Sequence, residues 1–402
     1  FLANNEREFS PFWHAGGIKV VADAWGKVLA CEVGNNHAPG IWYDGCKSGN
    51  QCLIEGNYIY NNYKESGIMY EISTNGIIAN NIVAGTARRG IYISDSNQTL
   101  VYNNTVIGTT NLGGNRSAIE LVGSDRSGSD GLYGNRVFNN IVAYTQTSHD
   151  LLVSDNAWSY DNTIDHNCYH RIGGGVKLRH GAFVATDLSA WQAQTSWDQN
   201  SLEEDPLFLI QTGPSPPFQE DQVTAGHRLR PTSPCIDVGD DVGAVLATDF
   251  DGNPRVVNGE PDMGALESNG GYVLWASAIT NGLTGHSDSA TGDGVPNIVK
   301  YANGSSATLA APQAALSLLD NAGLQQLTFN RNRNALDVVI EVEASTGLAG
   351  ASWEVIATCQ LGSWTPANVI TESGTGPSAS ADVKDPGAGS ARRFYRLRVT
   401  SF

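Results

Sequence analysis

The sequence predicts an all-β chain, a right-handed parallel β-helix followed by a small C-terminal β-sandwich, and three observations carry that prediction. A Gly-Ile pair followed by an alternating strand recurs at Gly17-Ile18, Gly40-Ile41, Gly67-Ile68 and Gly90-Ile91, with an echo at Ala118-Ile119, at spacings of 23, 27, 23 and 28 residues. Asn follows each strand, at Asn35-Asn36, Asn57, Asn80-Asn81, Asn103-Asn104, Asn139-Asn140 and Asn167. Glycine is abundant, 45 of 402 residues, against two methionines, as expected of short strands and tight corners rather than helices.

Each unit of the repeat is one turn of a coil. Short strands cannot bury an apolar face alone, so successive turns stack, with aliphatics inward and Asn side chains bonding the corner backbone of the next turn. The repeat and its catalytic face occupy residues 1–204. Residues 205–268, with D-P-L-F (Asp205 to Phe208) and D-F-D-G-N-P-R (Asp249 to Arg255), read as a closing segment of the β-helix. Asp249, Asp251 and Asp262 read there as structural, with calcium binding as the alternative. Residues 269–311 form a linker with a short helix and a degenerate calcium-loop phrase around Asp288 and Asp293. Residues 312–402 alternate as strands, for example Leu336 to Ala344, and read as a β-sandwich accessory module.

Composition bounds the partners. Against 24 Lys and Arg stand 41 Asp and Glu, a formal charge of −17. Such a chain lacks the basic surface that nucleic acid or an anionic membrane requires. No apolar run approaches the ~20 residues of a membrane-spanning helix. Phe1 opens directly into folded-type sequence with no initiator Met or signal peptide, which reads as a processed portion of a longer precursor. Six Cys are too few for a disulfide scaffold and include no C-x-x-C pair. Cys46 and Cys52 lie close enough to bridge in an oxidising compartment, and the sequence leaves open whether they do. Oligomeric state is not specified by any sequence feature.

Stacking turns the sequence into a grid. With each Ile pointing into the core, residues one and three places later face solvent. Lys19, Trp42, Met69, Tyr92 and Glu120 then form one outward column, and Val21, Asp44, Glu71, Ser94 and Val122 its neighbour. Tyr43 and Tyr70 fall inward. Strands in adjacent turns are about 4.7–4.9 Å apart, so Asp44 and Glu71 stand one above the other. That separation is close to the ~5–5.5 Å of a retaining glycosidase, with Asp44 as nucleophile and Glu71 as acid/base, or the reverse. Two like charges this near raise the pKa of one of them. Trp13, Trp42 and Tyr92 offer faces for sugar stacking. His14, His37, Lys19, Lys64, Arg88 and Arg89 offer donors for hydroxyl, carboxylate or sulfate groups. The plain alternative is a solvated face, with the His residues bonding loops and corners.

The phrases G-G-I-K (Gly16 to Lys19), G-I-W-Y-D (Gly40 to Asp44), G-I-M-Y-E-I-S (Gly67 to Ser73) and G-I-Y-I-S-D-S (Gly90 to Ser96) resemble the right-handed parallel β-helix repeat family of pectate lyase-like fold, over residues 14 to 170. That resemblance implies a secreted, periplasmic or cell-surface bacterial protein acting on a polysaccharide. Its β-helical glycoside hydrolases carry an acidic pair on neighbouring turns, which Asp44 and Glu71 match, and hydrolysis by them requires no cofactor. The same fold hosts polysaccharide lyases, for which Lys19, His37, Lys64 or Arg88 supplies the base and calcium neutralises a uronate. A non-catalytic polysaccharide-binding β-helix is the third reading, because fold alone does not set function.

Overall fold

The computed structural model describes residues 15–47, 51–110, 114, 116–209, 227–230, 232–241, 246–257, 259–268, 271–310, 316–321, 324–347, 352–360, 362–374, 378–385 and 393–401. They divide into two units, 1–268 and 269–402.

The first unit is the parallel β-helix expected from the repeat. Each turn gives one strand to each of three sheets. The longest sheet stacks Ile18–Val21, Ile41–Asp44, Ser66–Glu71, Arg89–Ser94, Ser117–Val122, His149–Val153 and Leu178–His180 in parallel order, and ends on the antiparallel strand Phe183–Ala185. The register places Ile41, Ile68, Ile91, Ile119, Leu151 and Leu178 in one column, all essentially inaccessible to solvent. Tyr43 and Tyr70 also lie in the core.

The Gly of the Gly-Ile phrase has a steric cause. A Cβ on Gly67 would come within 2.5 Å of Val83 Cγ1 and 2.9 Å of the Gly90 carbonyl, so the corner closes only without a side chain. Asn fills the opposite role. Asn57, Asn81, Asn104, Asn140 and Asn167 form a buried ladder in which the Oδ1 of each of the last four accepts from the backbone N–H and Nδ2 of the Asn one turn before it, while Asn57 Oδ1 accepts from the Cys31 N–H. Each such Asn satisfies peptide groups that the corner takes out of the sheets.

A helix not anticipated from the sequence, Leu188–Thr195, follows the last strands and buries Trp191 against the core, with Asp187 as its N-cap. The described residues of the 205–268 segment lie along a side of the coil. Phe208, Leu229, Cys235, Met263 and Leu266 pack on the outward residues Tyr58, Tyr60, Ile82, Ile107 and Ile141. That contact explains why this face of the repeat is apolar on both sides.

The second unit contains the helices Gly271–Ser277 and Asn297–Ala302 and two four-stranded antiparallel sheets. Leu327, Phe329, Ile340, Val342 and Val383 share its core, giving the expected sandwich. Asp293 is an ion-pair partner of the buried Lys300 at 2.8 Å, so the calcium-like phrase serves a structural contact.

Candidate functional site

The outer face of the long sheet brings together most of the residues singled out above. Asp44 and Glu71 are register partners. Their side chains, however, are engaged. Asp44 lies 3.3 Å from Lys19 Nζ, and Lys19 sits 3.2 Å over the Trp42 ring. Glu71 accepts from Trp42 Nε1 at 3.0 Å and pairs with Arg126. Trp42 is only 2% exposed and Glu71 5%, so at these two positions the face expected to meet solvent is packed. The cause is a covering loop. Residues 124–131 come back over the face through Arg126, through Ser124 bonded to Asp95, and through Asp130 paired with Lys47 at 2.8 Å.

A second cluster lies farther along the same face. Glu65 pairs with Arg88 at 2.8 Å and with Arg89; Arg89 also reaches Glu120 at 2.9 Å and stacks 4.0 Å over Tyr92. The Trp42 and Tyr92 faces proposed for sugar stacking are thus covered by cations of the chain itself. His37 is elsewhere, edge-on to Tyr63 at 5.5 Å, and Lys64 is exposed. Trp13 and His14 lie outside the described residues. The roles of Arg126 and Glu65 were not read from the sequence because their partners are one or more turns away.

The cysteines form a different set. Cys46 and Cys52, both buried, are in thiol–thiol hydrogen-bonding contact at the corner following Ile41–Asp44. The contact with Cys46 holds the Cys52 thiol down to about 6, against burial, while that same contact and burial push Cys46 up. The Tyr43 and Tyr70 hydroxyls flank the pair, and burial raises both. Cys168 and Cys235 make a second buried contact, between the last full turn and the 205–268 segment.

Asp237, Asp262 and Glu267 bring oxygens within 4.8 Å of one another. Arg255 pairs with Glu267 at 2.5 Å, and the N–H groups of Asp237, Val257, Asp262 and Ser268 donate into the same group. Burial, and then the neighbouring Glu267, push Asp262 up to about 8. Arg255 and the four backbone N–H groups tie the trio together as a structural knot.

Residues 11–177, less than half of the chain, match the model of a family described as periplasmic copper-binding protein (NosD). No curated protein matches the chain. The family's description agrees with a periplasmic or secreted location, and no helix among the described residues is long and apolar enough to cross a membrane. The match overturns the glycoside hydrolase reading, since the family is one of copper-binding proteins rather than of enzymes that cut polysaccharides. The geometry supplies a physical reason: the Asp44 carboxylate is engaged by Lys19, the Glu71 carboxylate by Trp42 and Arg126, and the Trp42 and Tyr92 faces are occupied.

Proposed function

We propose that the chain is a non-enzymatic periplasmic β-helix protein that holds copper, taken as Cu(I) by the thiols of Cys46 and Cys52. The observation that carries this reading is the contact between two buried sulfurs inside the stretch that matches the copper-binding family. Soft thiolate donors select Cu(I), whereas carboxylates suit harder ions. The donor set therefore fits the metal better than the all-carboxylate group of Asp237, Asp262 and Glu267, in which Glu267 is already paired with Arg255.

The chain's own residues prepare the pair. Ser73 Oγ accepts from the Cys46 N–H at 2.9 Å and fixes the corner that carries the first thiol, while Cys52 opens the next strand. Tyr43 and Tyr70 exclude water from the sulfurs. Cys46 and Cys52 would hold Cu(I), whose positive charge would stand in for a displaced thiol proton. Copper K-edge X-ray absorption of the reduced, Cu(I)-loaded protein tests this. Sulfur-only nearest neighbours are expected; nitrogen or oxygen neighbours would overturn the assignment.

A further inference from the structure

Ser66, Arg89, Ser117 and His149 are the first residues of four consecutive strands of the long sheet. Ser66 pairs in register with Arg89, and Ser117 with His149. Three of these four residues present polar atoms that have no partner among the described residues. The Ser66 and Ser117 hydroxyls belong to fully buried residues, and His149 Nδ1 to one 7% exposed. Buried polar groups are ordinarily satisfied, so such a row calls for a ligand group of its own.

The charge around the row points the same way. Arg116 precedes Ser117, and Arg171, Lys177 and Arg179 surround His149. Glu120 is engaged by Arg89 and Arg116, and Asp150 by Arg171 at 3.0 Å. Lys177 and Arg179 have no carboxylate partner among the described residues; Arg179 Nε donates to the Gly181 carbonyl alone. On a chain of net charge −17 this is a local excess of positive charge.

We propose that the row is the floor of an oxyanion site, in which the Ser117 hydroxyl and His149 Nδ1–H donate to one carboxylate, sulfate or phosphate group whose charge is met by Lys177 and Arg179. Oxygen acceptors suit both donors, and cations without partners supply charge-assisted contacts. Burial and the facing Arg179, Lys177 and Arg171 hold the free imidazole down to about 4, so it meets the anion as a neutral donor. The site is separate from the Cys46–Cys52 pair and stands whether or not copper binds there.

The test is calorimetric titration of the full chain with sodium sulfate, sodium phosphate or sodium succinate, at ionic strength held constant with chloride. Saturable binding of at least one of the three is expected, weakened at least tenfold in Lys177→Gln and in Arg179→Gln, and unchanged in Lys27→Gln on another sheet. Binding of the inorganic ions identifies a free or esterified tetrahedral anion, and binding of succinate alone an organic acid; both support the site. His149 gives a second readout, because an anion beside the imidazole favours its charged form. With Arg116, Arg171, Lys177, Arg179 and Asp150 unchanged around it, its NMR titration midpoint should rise when ligand saturates. Heats indistinguishable from chloride for all three anions, or undiminished binding in both variants, would overturn the proposal.

Discussion

Asp44 and Glu71 are direct register partners on adjacent turns, yet each carboxylate turns to a different neighbour: Asp44 to Lys19 at 3.3 Å, Glu71 to Trp42 Nε1 at 3.0 Å and to Arg126. Strand register fixes which Cα atoms are adjacent. It does not fix which partner each carboxylate takes, and on this face every partner is supplied by the protein.

Glu71 is therefore expected to matter for stability. Glu71→Ala leaves Trp42 Nε1 buried without an acceptor and releases the Arg126 loop. Because the Arg126 side chain is 41% exposed, the charge pair is discounted for solvent screening, and a loss of about 2 kcal/mol is expected in urea unfolding. A loss under about 0.5 kcal/mol, the range of ordinary surface substitutions, would show that the face is not held by this contact.

The Asn ladder should be costlier to break. Asn104 accepts from Asn81 N and Nδ2 and donates to the carbonyls of Ile78 and Tyr102. Asn104→Ala orphans several buried groups at once and should cost about 3 kcal/mol or more by chemical denaturation. Wild-type stability in that variant would mean that the corner backbone finds its partners without the ladder.

Asp262 sets a pH dependence. Its folded-state pKa, about 8, lies above the ordinary value of 3.8, so the folded protein holds this proton more tightly than the unfolded chain. The associated stability is complete below about pH 4 and is lost as pH rises to about 8. Asp262→Asn should flatten that part of the stability profile measured by urea midpoints. An unchanged slope would place the dependence elsewhere.

The two thiol contacts predict a limit to oxidation. Incubated with a disulfide oxidant, each pair gives up two protons and two electrons to form one S–S bond, and the oxidant is reduced to thiols. Cys46 with Cys52 and Cys168 with Cys235 should be consumed, leaving Cys31 and Cys359 as the two thiols titratable after unfolding. Peptide mapping that joins Cys31 or Cys359 to another cysteine would contradict the contacts.

The coil was legible because its causes are local and repeated. Gly67 must lack a Cβ where Val83 and Gly90 approach, Ile68 must fill the column above Ile41, and Asn81 must satisfy a corner. What escaped detection depends on contacts between distant segments. Arg126 reaches Glu71 across 55 residues, Phe208, Leu229 and Met263 pack on a lateral sheet, and Cys235 meets Cys168 from outside the repeat. The hydrolase reading came from adjacency without knowledge of those covering contacts, and the match of residues 11–177 to a copper-binding family corrects it.

The most direct test of the copper reading is an anaerobic Cu(I) titration of the reduced full chain against a chromophoric Cu(I) chelator, in parallel with Cys52→Ser and Cys359→Ser. Wild type and Cys359→Ser should each withdraw one copper per chain from the chelator, and Cys52→Ser should lose that equivalent. Copper retained by Cys52→Ser, or none withdrawn by the reduced wild type, would contradict the assignment of Cys46 and Cys52 as its ligands.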